Sequence, residues 1–147
     1  MTDAPGRGGD LESDLLRLRD HYLVTTLVCL LPEYEGEAAA AARVAPQMSF
    51  VSFPISDLAV PPNMNSFRKM AEDAVRRLRA GETVVLHCLY GLGRTGMAAA
   101  CVLTLCGYSV EEAILKVRAT RRRTIETDAQ LEFVRQFARR HRGKNTH

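Results

Sequence analysis

The stretch Val84-Val85-Leu86-His87-Cys88-Leu89-Tyr90-Gly91-Leu92-Gly93-Arg94-Thr95-Gly96 decides how the rest of the chain is read. An apolar, β-branched run ends in a cysteine, and an arginine follows after five intervening residues, Leu89, Tyr90, Gly91, Leu92 and Gly93. Such a run predicts a buried strand, and the glycines beyond it let the backbone curl. The pattern predicts a loop with its N–H groups turned inward. A helix opening at Arg94 aims its positive end at the same point. Thiols in such settings ionise well below the free value of about 8.5, and the thiolate is the nucleophile. Arg94 carries a planar fork suited to two oxygens of a tetrahedral dianion. Together these features imply attack by Cys88 on a phosphate ester, with the backbone of Leu89 through Arg94 as the anion cradle.

The 147 residues fit one domain with a substantial core, and 46% hydrophobic with 25% charged residues is ordinary for a globular protein. No apolar run has the length of a membrane span, and residues 1–10 lack the apolar segment of a secretory signal. Cysteines 29, 88, 101 and 106 show no metal-ligand or Cys-x-x-Cys spacing. These features predict a reducing, cytoplasmic setting with no membrane partner and no metal. The net charge of +3 is unevenly placed: between Lys116 and Arg142, nine Lys/Arg face Glu126, Asp128 and Glu132. That surplus reads either as solvated helix faces or as an electropositive rim drawing anions to the loop. No aromatic residues interleave with it, which argues against nucleic acid as a partner.

Strand and helix alternate along the chain. Helices are expected over 11–19, 35–43, 64–80, 94–106, 109–121 and 128–141, and strands over 22–31, 48–53 and 83–87. The helix over 64–80 is the clearest, with Phe67, Met70, Ala71, Ala74, Val75 and Leu78 on one face and Gly81 as its stop. Ser109 with Glu112, and Thr127 with Gln130, each have the spacing of a capping box. The alternation predicts an α/β domain with a central, mostly parallel sheet flanked by helices, residues 1–10 and 143–147 being flexible. The Cys88 loop then lies beyond the carboxyl end of its strand, where ligands of open parallel sheets bind.

Gly91-x-Gly93-x-x-Gly96 matches the dinucleotide fingerprint literally, but the second strand and its acidic residue are missing; Ser109 starts a helix instead. No Gly-Lys-Ser/Thr is present, which removes the Walker loop. A sulfur-transfer or arsenate-reducing thiol enzyme remains an alternative.

His87-Cys88-x5-Arg94-Thr95 resembles the signature of the cysteine-dependent protein phosphatases. Two further segments extend the resemblance. Phe53-Pro54-Ile55-Ser56-Asp57 is similar to the family's general-acid segment. Arg118-x-x-Arg121-x-x-x-Ile125-Glu126-Thr127-x-x-Gln130 is similar to a stretch after the catalytic helix in atypical dual-specificity phosphatases, a group that includes the kinase-associated phosphatase. An acid ahead of a mid-chain cysteine, in a short chain, sets this pattern apart from low-molecular-weight and large classical tyrosine phosphatases. The similarity covers roughly residues 11–140, and it implies a phosphatase catalytic domain over 11–142 with a dual-specificity-phosphatase-like sheet of about four to five strands.

The resemblance implies catalytic roles for Cys88 as nucleophile, Arg94 as phosphate ligand and Asp57 as general acid. It implies supporting roles for His87 as an orienter of the loop, Thr95 as a donor to the Cys88 sulfur, and Gln130, which either orients water or caps its helix. Cys29, Cys101 and Cys106 lie in apolar runs and read as core thiols. The implied reaction needs no cofactor. Its substrates would be phosphoproteins or phosphopeptides bearing phosphotyrosine or phosphoserine/threonine, with phosphate and vanadate as oxyanion ligands of a monomer. The loop is uncharged between Cys88 and Arg94, which favours a single phosphate over a polyphosphorylated headgroup. Arg121-Arg122-Arg123 leave a non-protein phosphomonoester open, and a phosphate-binding module with little turnover is the remaining alternative. Relatives carry a strand pair before the first helix, for which this chain has almost no room; Ala4-Pro5-Gly6-Arg7 resembles its tail end.

Overall fold

A computed structural model describes residues 1–2, 4–7, 9–32, 37–89 and 92–145, the last five as backbone alone. The elements run α1 (Leu11–Asp20), β1 (Thr26–Cys29), α2 (Glu37–Val44), β2 (Ser49–Ser52), α3 (Met64–Arg79), β3 (Val84–His87), α4 (Gly93–Leu105), α5 (Val110–Thr120) and α6 (Asp128–Asn145). All expected elements are present, with shorter strands. Local chemistry sets several of the ends. Asp10 caps α1 by accepting from Ser13 N–H at 2.9 Å, and Asn63 caps α3 through Ser66 N–H at 3.0 Å. Ser109 and Glu112 close their capping box around the start of α5. Gly81, at φ 87°, turns the chain out of α3.

The strands form one parallel sheet in the order β2-β1-β3. Every residue of the central strand β1 is buried, as befits a parallel strand covered on both faces. Successive side chains alternate between those faces. Leu27 packs with Leu15, Ala40, Ala41 and Met48 beneath α1 and α2, joined by Phe50 and Val85. Val28 and Leu86 pack into the larger core under α3, α4, α5 and α6. Phe67 is fully buried at the centre of that core. Its ring meets Phe53, Phe133 and Phe137 edge-on at centroid distances of 5.8, 5.1 and 5.5 Å, contacts that add to its burial.

The sheet has three strands among the described residues, in place of the four to five expected. The reason lies at the N-terminus. Thr2 forms a single parallel bridge with His87, its N–H donating to Leu86 O at 3.1 Å. Pro5 lacks an N–H to extend that pairing, and Gly6 turns away at φ 84°. This stretch is nevertheless tied down, unlike the loose end expected of residues 1–10. Ala4 is buried, its N–H donates to Leu89 O at 3.1 Å, and Gly6 N–H donates to Asp14 at 2.7 Å. Asp3 and Gly8 lie outside the described residues, as do the expected start of α2 at Glu35 and, in the expected tail, Thr146 and His147. The helical backbone of α6 continues to Asn145. Cys106, expected in the core, is exposed because it falls at the C-cap of α4, where the helix reaches the surface. Among the described residues, no helix is long and apolar enough to cross a membrane.

Candidate active site

Cys88 follows β3 directly and is buried, 3% exposed, on the α4 side of the sheet. Leu89 and Leu92 flank the turn into α4; Tyr90 and Gly91, expected to line the cradle, lie outside the described residues. Helix α4 opens at Gly93 with no cap from the side chain of Leu92, and the first-turn N–H groups of a helix are ready partners for an anion. Gly93 N–H already donates to a carboxylate, Glu126 Oε1, at 3.0 Å. The approach is close: a Cβ on Gly93 would meet Glu126 Oε1 at 2.7 Å and the Gln130 amide at 3.1 Å. Gly96 is equally constrained, since a Cβ there would meet Thr124 Cβ at 2.8 Å.

Arg94 is 6% exposed and spans the loop and the segment that bears the acid. Its Nη1 donates to Ile55 O at 2.9 Å, and its Nη2 stands 3.6 Å from Asp57 Oδ1. The Asp57 side chain is 78% exposed. Two sequence-distant groups, a buried guanidinium and an exposed carboxylate, are thereby brought together. Thr95 is fully buried, and its Oγ1 has no hydrogen-bond partner among the described residues. The expected bond from Thr95 to the Cys88 sulfur is therefore absent from this structure.

The α6 start braces the loop. Gln130 is fully buried; its Oε1 accepts from Glu126 N–H at 2.9 Å and Thr127 N–H at 3.2 Å, and its Nε2 donates to Ala59 O at 3.4 Å. Gln130 N–H donates to Thr127 Oγ1 at 3.1 Å, completing the second capping box. Its amide is thus committed to the cap and the acid segment. Ile125 N–H donates to Leu92 O at 3.3 Å from a backbone at φ 61°. That conformation is an outlier for a β-branched residue. Arg118 holds it there by donating to Thr124 O at 3.1 Å and Ile125 O at 3.4 Å.

Behind the loop, His87 is fully buried. Its Nδ1 lies 3.3 Å from Cys88 O and its Nε2 2.6 Å from Glu37 Oε1. Burial and the Glu37 charge push the neighbouring Cys29 thiol up to about 12. Burial also pushes the Cys101 thiol well up. Both are core thiols held in the protonated form.

A family model, the DSP-PTPase phosphatase domain of Swiss Army Knife proteins, matches residues 9–140. The chain belongs to that family. It is a phosphatase domain of the dual-specificity kind within the cysteine-dependent superfamily. A zebrafish (Danio rerio) relative, protein tyrosine phosphatase domain-containing protein 1, is 48% identical over 56 residues. That match spans 37% of this chain and only 8% of the relative's length. The crystal structure of Tk-PTP in its active form superposes with a TM-score of 0.73 at 26% identity, covering 88% of this chain and 86% of that one. Kinase-associated phosphatase superposes with a TM-score of 0.73 at 22% identity over 90% of this chain and 78% of its own, a likeness of fold.

Two residues of this phosphatase domain escaped the sequence reading. Glu126 touches the loop through Gly93 N–H; it stands within the quoted Ile125-Glu126-Thr127 segment, so its position was visible although its partner was not. Glu37 contacts His87 from α2. It sits in a polar, Ala-rich stretch where nothing in the sequence marks one glutamate above another.

Proposed function

We propose that this phosphatase domain hydrolyses phosphotyrosine and phosphoserine/threonine in proteins through a phosphocysteine at Cys88, without a metal in the reacting group. The Cys88 sulfur attacks phosphorus as the P–O bond to the leaving group breaks, and Asp57 gives that oxygen its proton. Water then attacks the phosphocysteine, Asp57 takes its proton, and the sulfur departs as thiolate. Arg94 balances the charge on the transferring phosphoryl group. The buried Thr95 hydroxyl, a donor without an acceptor, suits the departing thiolate. The observation that carries the reading is Arg94 bonded to Ile55 O at 2.9 Å and 3.6 Å from Asp57, which ties the acid to the anion site. A protein substrate is supported by the absence of charge between Cys88 and Arg94.

The test is hydrolysis of an aryl phosphate and of a phosphopeptide panel by wild-type protein and Cys88→Ser. Turnover should persist in chelator, stop with vanadate, and fall to background in Cys88→Ser while phosphopeptide binding persists. Activity that survives the serine substitution, or that requires added metal, would overturn the mechanism. Preference for inositol phosphates over every phosphopeptide would move the substrate class to non-protein monoesters and assign Arg121-Arg122-Arg123 to the extra phosphates.

A further inference from the structure

On the face of the sheet opposite Cys88, three polar side chains from three elements converge in the core. Cys29 ends β1 and His87 ends β3, and the parallel register sets them directly opposite each other. Both point to the α2 face, since each is two residues beyond a side chain packed there, Leu27 and Val85. Glu37, the first residue of α2, closes over them. The three are 3%, 0% and 1% exposed, and a sulfur, a ring nitrogen and a carboxylate oxygen all lie within 4.8 Å of one another.

We propose that Cys29 Sγ, His87 Nε2 and the Glu37 carboxylate form a binding site for a thiophilic divalent cation, zinc above all. The ligand set fits: sulfur, imidazole and carboxylate together are zinc donors, whereas magnesium and calcium take oxygen. His87 carries the outer hydrogen bond of a metal-binding histidine, with Nδ1–H directed at Cys88 O at 3.3 Å and Nε2 left to face the site. With Nδ1 bearing its hydrogen, Nε2 and Glu37 Oε1 are two acceptors 2.6 Å apart and need a positive species between them, a proton or a metal ion. Glu37 Oε2 is buried with no hydrogen-bond partner among the described residues, which leaves an oxygen for a further coordination position.

Charge balances as well. A divalent ion would replace the thiol proton of Cys29 and the proton shared by Glu37 and His87, so thiolate, carboxylate and cation sum to zero inside the core. Zinc bonds of about 2.0–2.3 Å place donor atoms about 3.2–3.7 Å apart. The site therefore reaches zinc geometry by opening the Glu37–His87 contact and drawing Cys29 inward. Its ligands include neither Cys88 nor Arg94, so it lies outside the reacting group.

The test titrates chelator-stripped full-length protein with cobalt(II) and then zinc(II). One ion per chain, a near-ultraviolet thiolate-to-cobalt band, and its bleaching by zinc are expected. Cys88→Ser should keep the band. Cys29→Ala and the isosteric Cys29→Ser should lose it, and Glu37→Gln should weaken zinc binding by about tenfold or more. Zinc should raise the melting temperature of wild type and of Cys88→Ser but not of the Cys29 variants. Metal-free melts of each variant establish that it is folded. No band in folded wild-type protein would overturn the site, as would a band that survives Cys29→Ala and vanishes in Cys88→Ser.

Discussion

Each face of the sheet sets a carboxylate against a nitrogen base, and the two pairs are built in opposite ways. On the Cys88 face, Asp57 is 78% exposed and stands 3.6 Å from an Arg94 fixed to Ile55 O. On the α2 face, Glu37 and His87 meet at 2.6 Å with both side chains sealed from solvent. An acid that must give up a proton and regain it from water needs the first arrangement. A group that must hold a loop in one shape is better served by the second, because in the interior an unpaired partner is costly and the pair stays together. On the proposed mechanism, exposure separates the face that turns over from the face that supports it.

The largest effect should come from breaking the sealed pair. Glu37→Ala leaves His87 and its surroundings uncompensated and should lower the unfolding free energy by about 3–5 kcal/mol, read by denaturant titration. Glu37→Gln keeps the hydrogen bond and should lose less. A Glu37→Ala protein as stable as wild type would erase the contrast. Asp57→Asn, next in size, should lower turnover of an alkyl phosphate by about a hundredfold and leave the melting temperature almost unchanged. A large loss of stability instead would make Asp57 a packing residue. The effect that is smallest at neutral pH concerns Cys29 in metal-free protein. Its thiol is raised to about 12 by burial and by Glu37, from 9.0 for the free group. The unfolded chain then loses that proton first, so stability should be full below pH 9 and decline between pH 9 and 12. An alkaline melting series should show that decline in wild type and less of it in Cys29→Ala.

What could be read in advance depended on how local the signal was. The Val84–His87 strand, the Cys88 turn and the α4 helix are encoded in consecutive residues. The apolar stripe of α3 and the Ser109–Glu112 cap repeat at helical spacing, so they too were visible. Asp57 was legible through the short segment around it. Glu37 was not, because its meaning comes from β1 and β3 lying side by side, and no stretch of sequence records that register. The strand count failed for a related reason. Residues 1–2 and 4–7 carry one bridge and a turn rather than a strand, a balance set by the edge of β3. Thr95 is fully buried, and the partner expected for its hydroxyl is not bonded to it here.

The bond from Arg94 to Ile55 O has a kinetic implication. On the proposed mechanism, the residue that would hold the anion also anchors the main chain two positions before the proposed proton donor, so grip and donor would travel as one mechanical unit. A substitution that lets the acid segment drift would loosen the guanidinium along with it. Losses of affinity and of turnover should then appear together, even from changes that never touch the phosphate.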